Sequence, residues 1–283
     1  MTLRFRNLAN RLSPTPHNEP LKRSGNQRAC RLSDRCFRIG AVSALNASNL
    51  LATWEQGTTQ HPLQRAVTLL HLAWPQRSAA EWANVSVGER DRQLLRLREQ
   101  LFGPRVEATM QCPKCGSELE LTFTARDLES TVVQRSGDER MKLVSGEYEV
   151  EYRLPTTADL LEIANGSGPA LATLLHRCVV ARQGDTPVES AELPNAVIEK
   201  LSHSMAEADP YAEIQIAMDC AGCAHRWSMV FDVVSYLWGE IEDWAIRLLR
   251  DVHALACAYG WSERDIVAMS ARRRRLYLEM ANG

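Results

Sequence analysis

The spacing of apolar residues divides the chain into helical and extended stretches. Leu45, Leu50, Leu51 and Trp54, then Leu63, Val67, Leu70 and Trp74, recur mostly at three or four residues before Pro75, which predicts two short helices. Ser86 and Glu89 have the spacing of a capping box. Leu94, Leu95, Leu97 and Leu101 then supply an apolar face and Gly103-Pro104 a stop, predicting a third helix packed with the first two. From Val106 the period falls to two. Leu119, Leu121 and Phe123 alternate with Glu118, Glu120, Thr122 and Thr124, so this stretch reads as a hairpin whose turn holds Cys112 and Cys115. A second hairpin is expected over Val144 to Leu154 around Gly146. Helical spacing resumes at Thr157 to Asn165, Pro169 to Arg182 and Pro194 to Ala208, which makes the middle third mostly helical.

After Asp209-Pro210 the alternation returns in Ile214, Ile216 and Met218. Cys220 and Cys223 follow, then a short strand from Arg226 to Phe231, which repeats the plan of the first hairpin. Asp232 can cap a long helix in which Val233, Leu237, Ile241, Trp244, Leu248, Val252, Leu255 and Tyr259 form one stripe, ended by Gly260. Ser262 with Asp265 begins another helix, and Ser270 a last one through Met280.

At 283 residues the chain has room for about two domains, or for one domain carrying a large insertion. With 45% hydrophobic and 24% charged residues it is of ordinary globular composition. A formal net charge of −2 argues against a whole-molecule polyanion binder, so any basic patch is local. Residues 1–40 hold nine basic side chains against Glu19 and Asp34, a local charge of +7, with three prolines and no helical stripe. They read as a basic, disordered tail or an over-long start of the reading frame. An anionic tether is the sharper alternative, but Phe5 and Phe37 are few aromatics for a nucleic-acid segment. No run approaches the eighteen or so apolar residues of a membrane span, and the arginines of the first twelve residues lead into no apolar core. The expectation is a cytoplasmic protein without membrane insertion.

Four of the eight cysteines form two C-x-x-C units, Cys112 with Cys115 and Cys220 with Cys223, each between alternating strands. Two such knuckles supply the four thiolates of a tetrahedral zinc site with Zn–S bonds of about 2.3 Å. The 104 residues between Cys115 and Cys220 far exceed the gap of a compact ribbon, so the ribbon must be split by an insertion. Four thiolates close the shell and leave no metal-bound water to activate, which makes a structural Zn2+ the expected cofactor. A redox dithiol would open a helix after a strand, whereas strand-like sequence follows both motifs. His225 can be read as a substitute ligand or as an ordinary turn residue. Cys30 and Cys36 are too far apart for a good knuckle, and Cys178 and Cys257 fall on apolar helical faces as small hydrophobes.

The fold class expected is therefore α+β and mostly helical: a split four-cysteine zinc ribbon with a helical insertion and a carboxyl-terminal helical unit. The expected divisions are a tail at 1–40, a helical segment at 41–104 and the first knuckle hairpin at 105–126. An inserted hairpin with helices then occupies 127–208, the second knuckle 209–231 and the carboxyl-terminal helical unit 232–283. No phosphate loop, dinucleotide fingerprint, H-E-x-x-H or nucleophile elbow is present, so no enzyme activity or small-molecule substrate is expected. Trp227, Tyr236, Trp238, Trp244, Tyr259 and Trp261 crowd the carboxyl end, followed by the run Arg272, Arg273, Arg274 and Arg275. The aromatics read equally as a broad packed face or as a partner surface, since Trp, Tyr and Arg anchor interfaces; the arginine run reads first as a solvated face, with salt bridges to an acidic partner as the alternative.

The order C-P-K-C-G with an L-E-L strand, then C-A-G-C-A-H-R-W, F-D-V-V-S-Y-L-W-G-E-I-E-D-W-A and Y-G-W-S-E-R-D-I-V-A-M-S-A-R-R-R-R-L-Y-L resembles baseplate proteins of contractile phage tails and phage-like injection systems. The closing part is similar to the T-even phage baseplate hub assembly protein family. The resemblance covers residues 210 to 283 and, less specifically, 45 to 125. It implies a non-enzymatic component or assembly factor that binds other baseplate or hub proteins. Trp238, Trp244, Tyr259, Trp261 and Arg272 to Arg275 are the candidate contacts. The alternative is a zinc-ribbon nucleic-acid-binding regulatory protein, supported by the basic tail and the arginine run. The acidic outward residues Glu118, Glu120 and Asp219 argue against it. A thiol oxidoreductase ranks third.

Overall fold

The computed structural model describes residues 45–128, 139–166 and 168–282; the basic tail read at 1–40 lies outside the described residues. The protein mixes helix and sheet, as expected, and divides into two compact units, each built from separated stretches of chain.

One unit takes in 45–77, 94–127 and 232–282. Helices α1 (Ala47–Gly57) and α2 (Pro62–Ala73) form where the first two apolar stripes predict them. The Asn46 side chain accepts the Asn49 N–H at the start of α1, and Pro62 occupies the first turn of α2, where its missing N–H costs nothing. Helix α4 (Val87–Phe102) leads to the antiparallel hairpin β1 (Arg105–Gln111) and β2 (Glu118–Thr124). The unit is organised on α8 (Val233–Tyr259), a 27-residue helix. Asp232 caps it, and Gly260 ends it at φ +68°, a left-handed conformation that glycine adopts without steric cost. Its stripe of Ala245, Leu248, Val252 and Leu255 is buried against Leu51 and against Ile266 and Val267 of the short α9 (Glu263–Val267). Helix α10 (Ala271–Asn282) also packs on α8.

Two polar clamps brace the hairpin end of α8. Arg98 of α4 makes a two-pronged pair with Glu240, at 2.9 and 2.8 Å, and donates to the Gly103 carbonyl at 2.7 Å. Tyr236 donates its hydroxyl to the Glu107 carbonyl of β1 at 2.8 Å. Trp238 is buried against Gly57, where an added Cβ would strike its ring, and the Arg65 guanidinium lies 4.6 Å from that ring. The position demands glycine because the indole occupies the space of a side chain.

The other unit takes in 78–93 and 128–231. A short α3 (Ala79–Ala83), capped by Ser78 and Glu81, has no counterpart in the sequence reading. A four-stranded antiparallel sheet runs in sequence order through β3 (Met141–Ser145), β4 (Tyr148–Tyr152), β5 (Val179–Gln183) and β6 (Thr186–Val188). Helices α5 (Thr157–Asn165) and α6 (Ala170–Cys178) connect β4 to β5, and α7 (Asn195–Ala208) follows. The expected hairpin about Gly146 is present. The helix expected to continue to Arg182 instead stops at Cys178, because Val179 to Gln183 pairs along β4, burying Val179 and Ala181 while Val180 and Arg182 face out. A β-branched pair and a period of two outweighed the weak helical spacing there. Hairpin β7 (Gln215–Asp219) and β8 (Arg226–Val230) closes the unit.

Two buried carboxylates show how this unit handles charge. Burial alone would raise the carboxyl of Asp159, yet the guanidiniums of Arg153 and Arg177, at 2.6 and 2.7 Å, with the Thr156 N–H, hold it well below the ordinary range. Asp209 has weaker support. Burial pushes its carboxyl up to about 6, opposed by the Gly88 N–H at 2.9 Å and the Ser86 hydroxyl, and helped upward by Asp91 and Glu89. A Cβ on Gly88 would collide with this carboxylate and with the Ala212 backbone, so glycine at the start of α4 admits the buried acid. Ser86 accepts the Glu89 N–H as expected, but the Glu89 side chain turns to Arg92 at 2.8 Å.

Glu240→Ala strands the Arg98 guanidinium in the interior and is expected to lower the unfolding free energy by about 3 kcal/mol in denaturant titrations. A carboxyl whose folded value is raised favours the fold while protonated. The contribution of Asp209 is therefore complete below the ordinary carboxylate range and is lost as pH rises through about 6. Asp209→Asn is expected to flatten the decline in melting temperature between about pH 4 and 6.5; a slope identical to that of the parent protein would rule this out.

Candidate metal centre

The two C-x-x-C motifs occupy turns with the same hydrogen bonds. In the first, the Cys112 N–H donates to the Ser117 carbonyl at 2.9 Å, and the Gly116 N–H to the Cys112 carbonyl at 2.9 Å. In the second, the Cys220 N–H donates to the His225 carbonyl at 2.9 Å, and the Ala224 N–H to the Cys220 carbonyl at 2.8 Å. Each turn closes an antiparallel ladder, Gln111 opposite Glu118 and Asp219 opposite Arg226. Each also needs one left-handed residue, supplied by Gly116 at φ +73° and by Ala224 at φ +53°. Alanine pays a steric penalty there that glycine does not.

The four sulfur atoms lie within 4.8 Å of one another. A tetrahedral site with metal–sulfur bonds of about 2.3 Å has edges of about 3.8 Å, so the four cysteines could hold a metal ion after a small contraction. Cys112 and Cys220, the first of each pair, are 2% exposed; Cys223 is half-buried and Cys115 exposed. The Cys115 thiol donates to the Ser117 hydroxyl at 3.2 Å. Neither motif opens a helix, so the dipole that activates a redox dithiol is missing from both turns. Among the described residues the metal-competent group consists of these four cysteines. His225 stacks on Trp227 with ring centroids 5.5 Å apart.

The remaining described cysteines differ from each other. Cys178 is buried as expected, but its thiol also donates to Asp159 at 3.8 Å, and burial together with that carboxylate pushes it up to about 12. Cys257 was expected on an apolar face and is instead exposed on α8, 3.9 Å from the His253 ring. Two residues past Leu255, about 200° round the helix, it lies on the face opposite the buried stripe.

The carboxyl-terminal candidates separate in the same way. Trp238 and Arg274 are each 6% exposed and belong to the interior rather than to a surface. Arg274 donates to the Met269 carbonyl at 2.6 Å and faces Asp251. Trp244 and Trp261 are half-buried, packed against the core under α8. Tyr259 stacks on Trp261 at 4.5 Å and donates to the Tyr277 carbonyl, while Tyr277 meets Trp261 edge-on at 4.8 Å. Arg272 and Arg273 are exposed, Arg275 is half-buried, and Arg273 lies 5.6 Å from the Tyr277 ring. The sequence reading missed Tyr277 as the third ring and Leu276 and Met280 as exposed apolar residues. The i, i+4 spacing of Arg272, Leu276 and Met280 was the available signal.

A mixed helix-and-sheet protein with two matched thiol turns is a scaffold with a candidate metal centre. The chain belongs to the family of the T4 bacteriophage base plate protein, whose model matches residues 66–238. That span contains both C-x-x-C motifs and ends at Trp238, so the segment from Tyr259 to Leu278 lies beyond it. No curated protein and no solved structure gives a match. Membership supports a structural phage baseplate role and speaks for a non-enzymatic protein. No helix among the described residues is long and apolar enough to cross a membrane.

Ala224→Gly is expected to raise the unfolding free energy by about 0.5–1 kcal/mol by relieving the left-handed strain in the second turn, as read by chemical denaturation. Gly116→Ala is expected to lower it by a similar amount.

Proposed function

We propose that this protein is a non-enzymatic structural or assembly component of the baseplate of a contractile phage tail or related injection system, built on a zinc-stabilised scaffold. The observation that carries the reading is the family match across both thiol turns, together with the convergence of Cys112, Cys115, Cys220 and Cys223. These four residues hold Zn2+ as a closed, structural site. Hairpins at 105–126 and 209–231 form a ribbon split by the insertion at 127–208. The tetrahedral all-sulfur donor set favours zinc over the oxygen-seeking cations.

The carboxyl-terminal helices 232–283 form the docking surface for other baseplate or hub proteins. Trp244, Tyr259, Trp261, Arg272, Arg273 and Arg275 are its residues, and Trp238 and Arg274 support it from the interior. The particle assembles in the cytoplasm. Acidic Glu118, Glu120 and Asp219 beside the metal turns weigh against a nucleic-acid role.

Purified protein is expected to carry one zinc per chain by elemental analysis, and the paired change Cys112→Ser with Cys220→Ser to abolish it. Chelation is expected to lower the melting temperature strongly, since structural zinc contributes on the order of ten kcal/mol. Mass spectrometry of purified sheathed particles, with electron microscopy of cells lacking the protein, tests the assembly role. Normal particles in its absence would overturn it.

A further inference from the structure

The thiol quartet is a closed set of ligands, and α8 carries an open pair away from it. The Cys257 sulfur lies 3.9 Å from Nε2 of His253, one helical turn earlier. Both side chains are exposed, on the side of α8 opposite the buried stripe of Ala245, Leu248, Val252 and Leu255. Helix geometry sets this arrangement. Residues four apart share a face and each side chain leans toward the helix N-terminus, so Cys257 reaches back to His253, while Arg250 leans away from both. A zinc ion bonded to a thiolate at about 2.3 Å and to an imidazole nitrogen at about 2.0–2.1 Å spans a tetrahedral edge of about 3.6 Å. The observed 3.9 Å is close to that edge, and it is long for a hydrogen bond from a weak thiol donor. The histidine at the same spacing on α7, His203, differs: it meets the Glu207 carboxylate at 3.2 Å, a hydrogen bond complete without an ion.

We propose that His253 and Cys257 form a second metal site, which takes a thiophilic transition-metal ion of the zinc class through Nε2 and Sγ. The sulfur–nitrogen donor set selects such ions over Mg2+ and Ca2+. As the sulfur–metal bond forms, the thiol proton leaves to solvent. Val252 and Leu255 are buried on the inner face beside the pair and fix the backbone that carries it, so binding orders two side chains and no loop. Cys257 lies in the last turn before Gly260, where the negative end of the helix dipole favours a cation. With two protein ligands against four, this is the weaker site, and its remaining positions are open to water or to an incoming ligand. It is independent of the baseplate reading and of the quartet.

Two measurements on the full chain test it together: equilibrium dialysis against buffered free Zn2+, read by elemental analysis, and zinc protection of Cys257 from alkylation, read by peptide mass spectrometry. A second equivalent of zinc is expected to bind beyond the one held by the quartet, and Cys257 to be alkylated more slowly as that equivalent fills. Mg2+ is expected to do neither. His253→Ala and Cys257→Ala, both on the exposed face, are each expected to keep the circular dichroism and the quartet's zinc and to lose the second equivalent. In His253→Ala, Cys257 is expected to be alkylated at the same rate with and without zinc. Alkylation of Cys257 in the parent chain at one rate across all zinc levels, or a second equivalent that survives both substitutions, would overturn the proposal. Zinc protection of Cys257 in a chain whose quartet holds no metal supports this site and removes the quartet reading alone.

Discussion

Four sulfur atoms within 4.8 Å of one another bring together turns that lie 104 residues apart in the chain. Closing a loop of about a hundred residues costs about 5 kcal/mol of chain entropy. Neutral thiols gain little from meeting, whereas a bound zinc is worth on the order of ten kcal/mol. On the zinc reading, the metal outweighs the closure cost and lets two short hairpins serve as one ribbon. Both hairpins have the half-buried faces of two-stranded elements that cannot stabilise themselves. Their matched backbone hydrogen bonds mean that the thiols are presented by the turns rather than selected from a flexible loop.

The two units meet their internal demands by different means. The unit of α8 depends on apolar burial along a 27-residue helix, with Arg98–Glu240 and Tyr236–Glu107 as polar clamps at its hairpin end. The unit of the four-stranded sheet places more charge inside, with Asp159 well supported by two guanidiniums and Asp209 supported mainly by a helix-start N–H. The difference in support is the reason their carboxyls move in opposite directions.

If the carboxyl-terminal helices are the docking surface proposed above, recognition by this baseplate protein lies outside the part matched by the family model. The matched region ends at Trp238, while the stacked rings of Tyr259, Trp261 and Tyr277 and the arginines of α10 lie beyond it. Trp238 and Arg274 mark the limit of composition as a guide: both are interface-type residues, and both are spent on packing.

Much of the outline was legible in the sequence because it rests on local chemistry. The long helix between Asp232 and Gly260, the two thiol hairpins and the end of α4 follow from caps, periods and breakers that act within a few residues. The thiol quartet was legible from spacing alone, because two knuckles are incomplete without each other. What only the tertiary structure decided depends on partners distant in sequence. Val179 to Gln183 became strand because Tyr148 to Tyr152 was there to pair with it. Gly57 and Gly88 proved obligatory because Trp238 and Asp209 fill the space above them. Which arginines of the Arg272–Arg275 run face solvent was likewise settled by the packing of α10 on α8, since four consecutive residues must point four ways round a helix and only a neighbour decides which way is in.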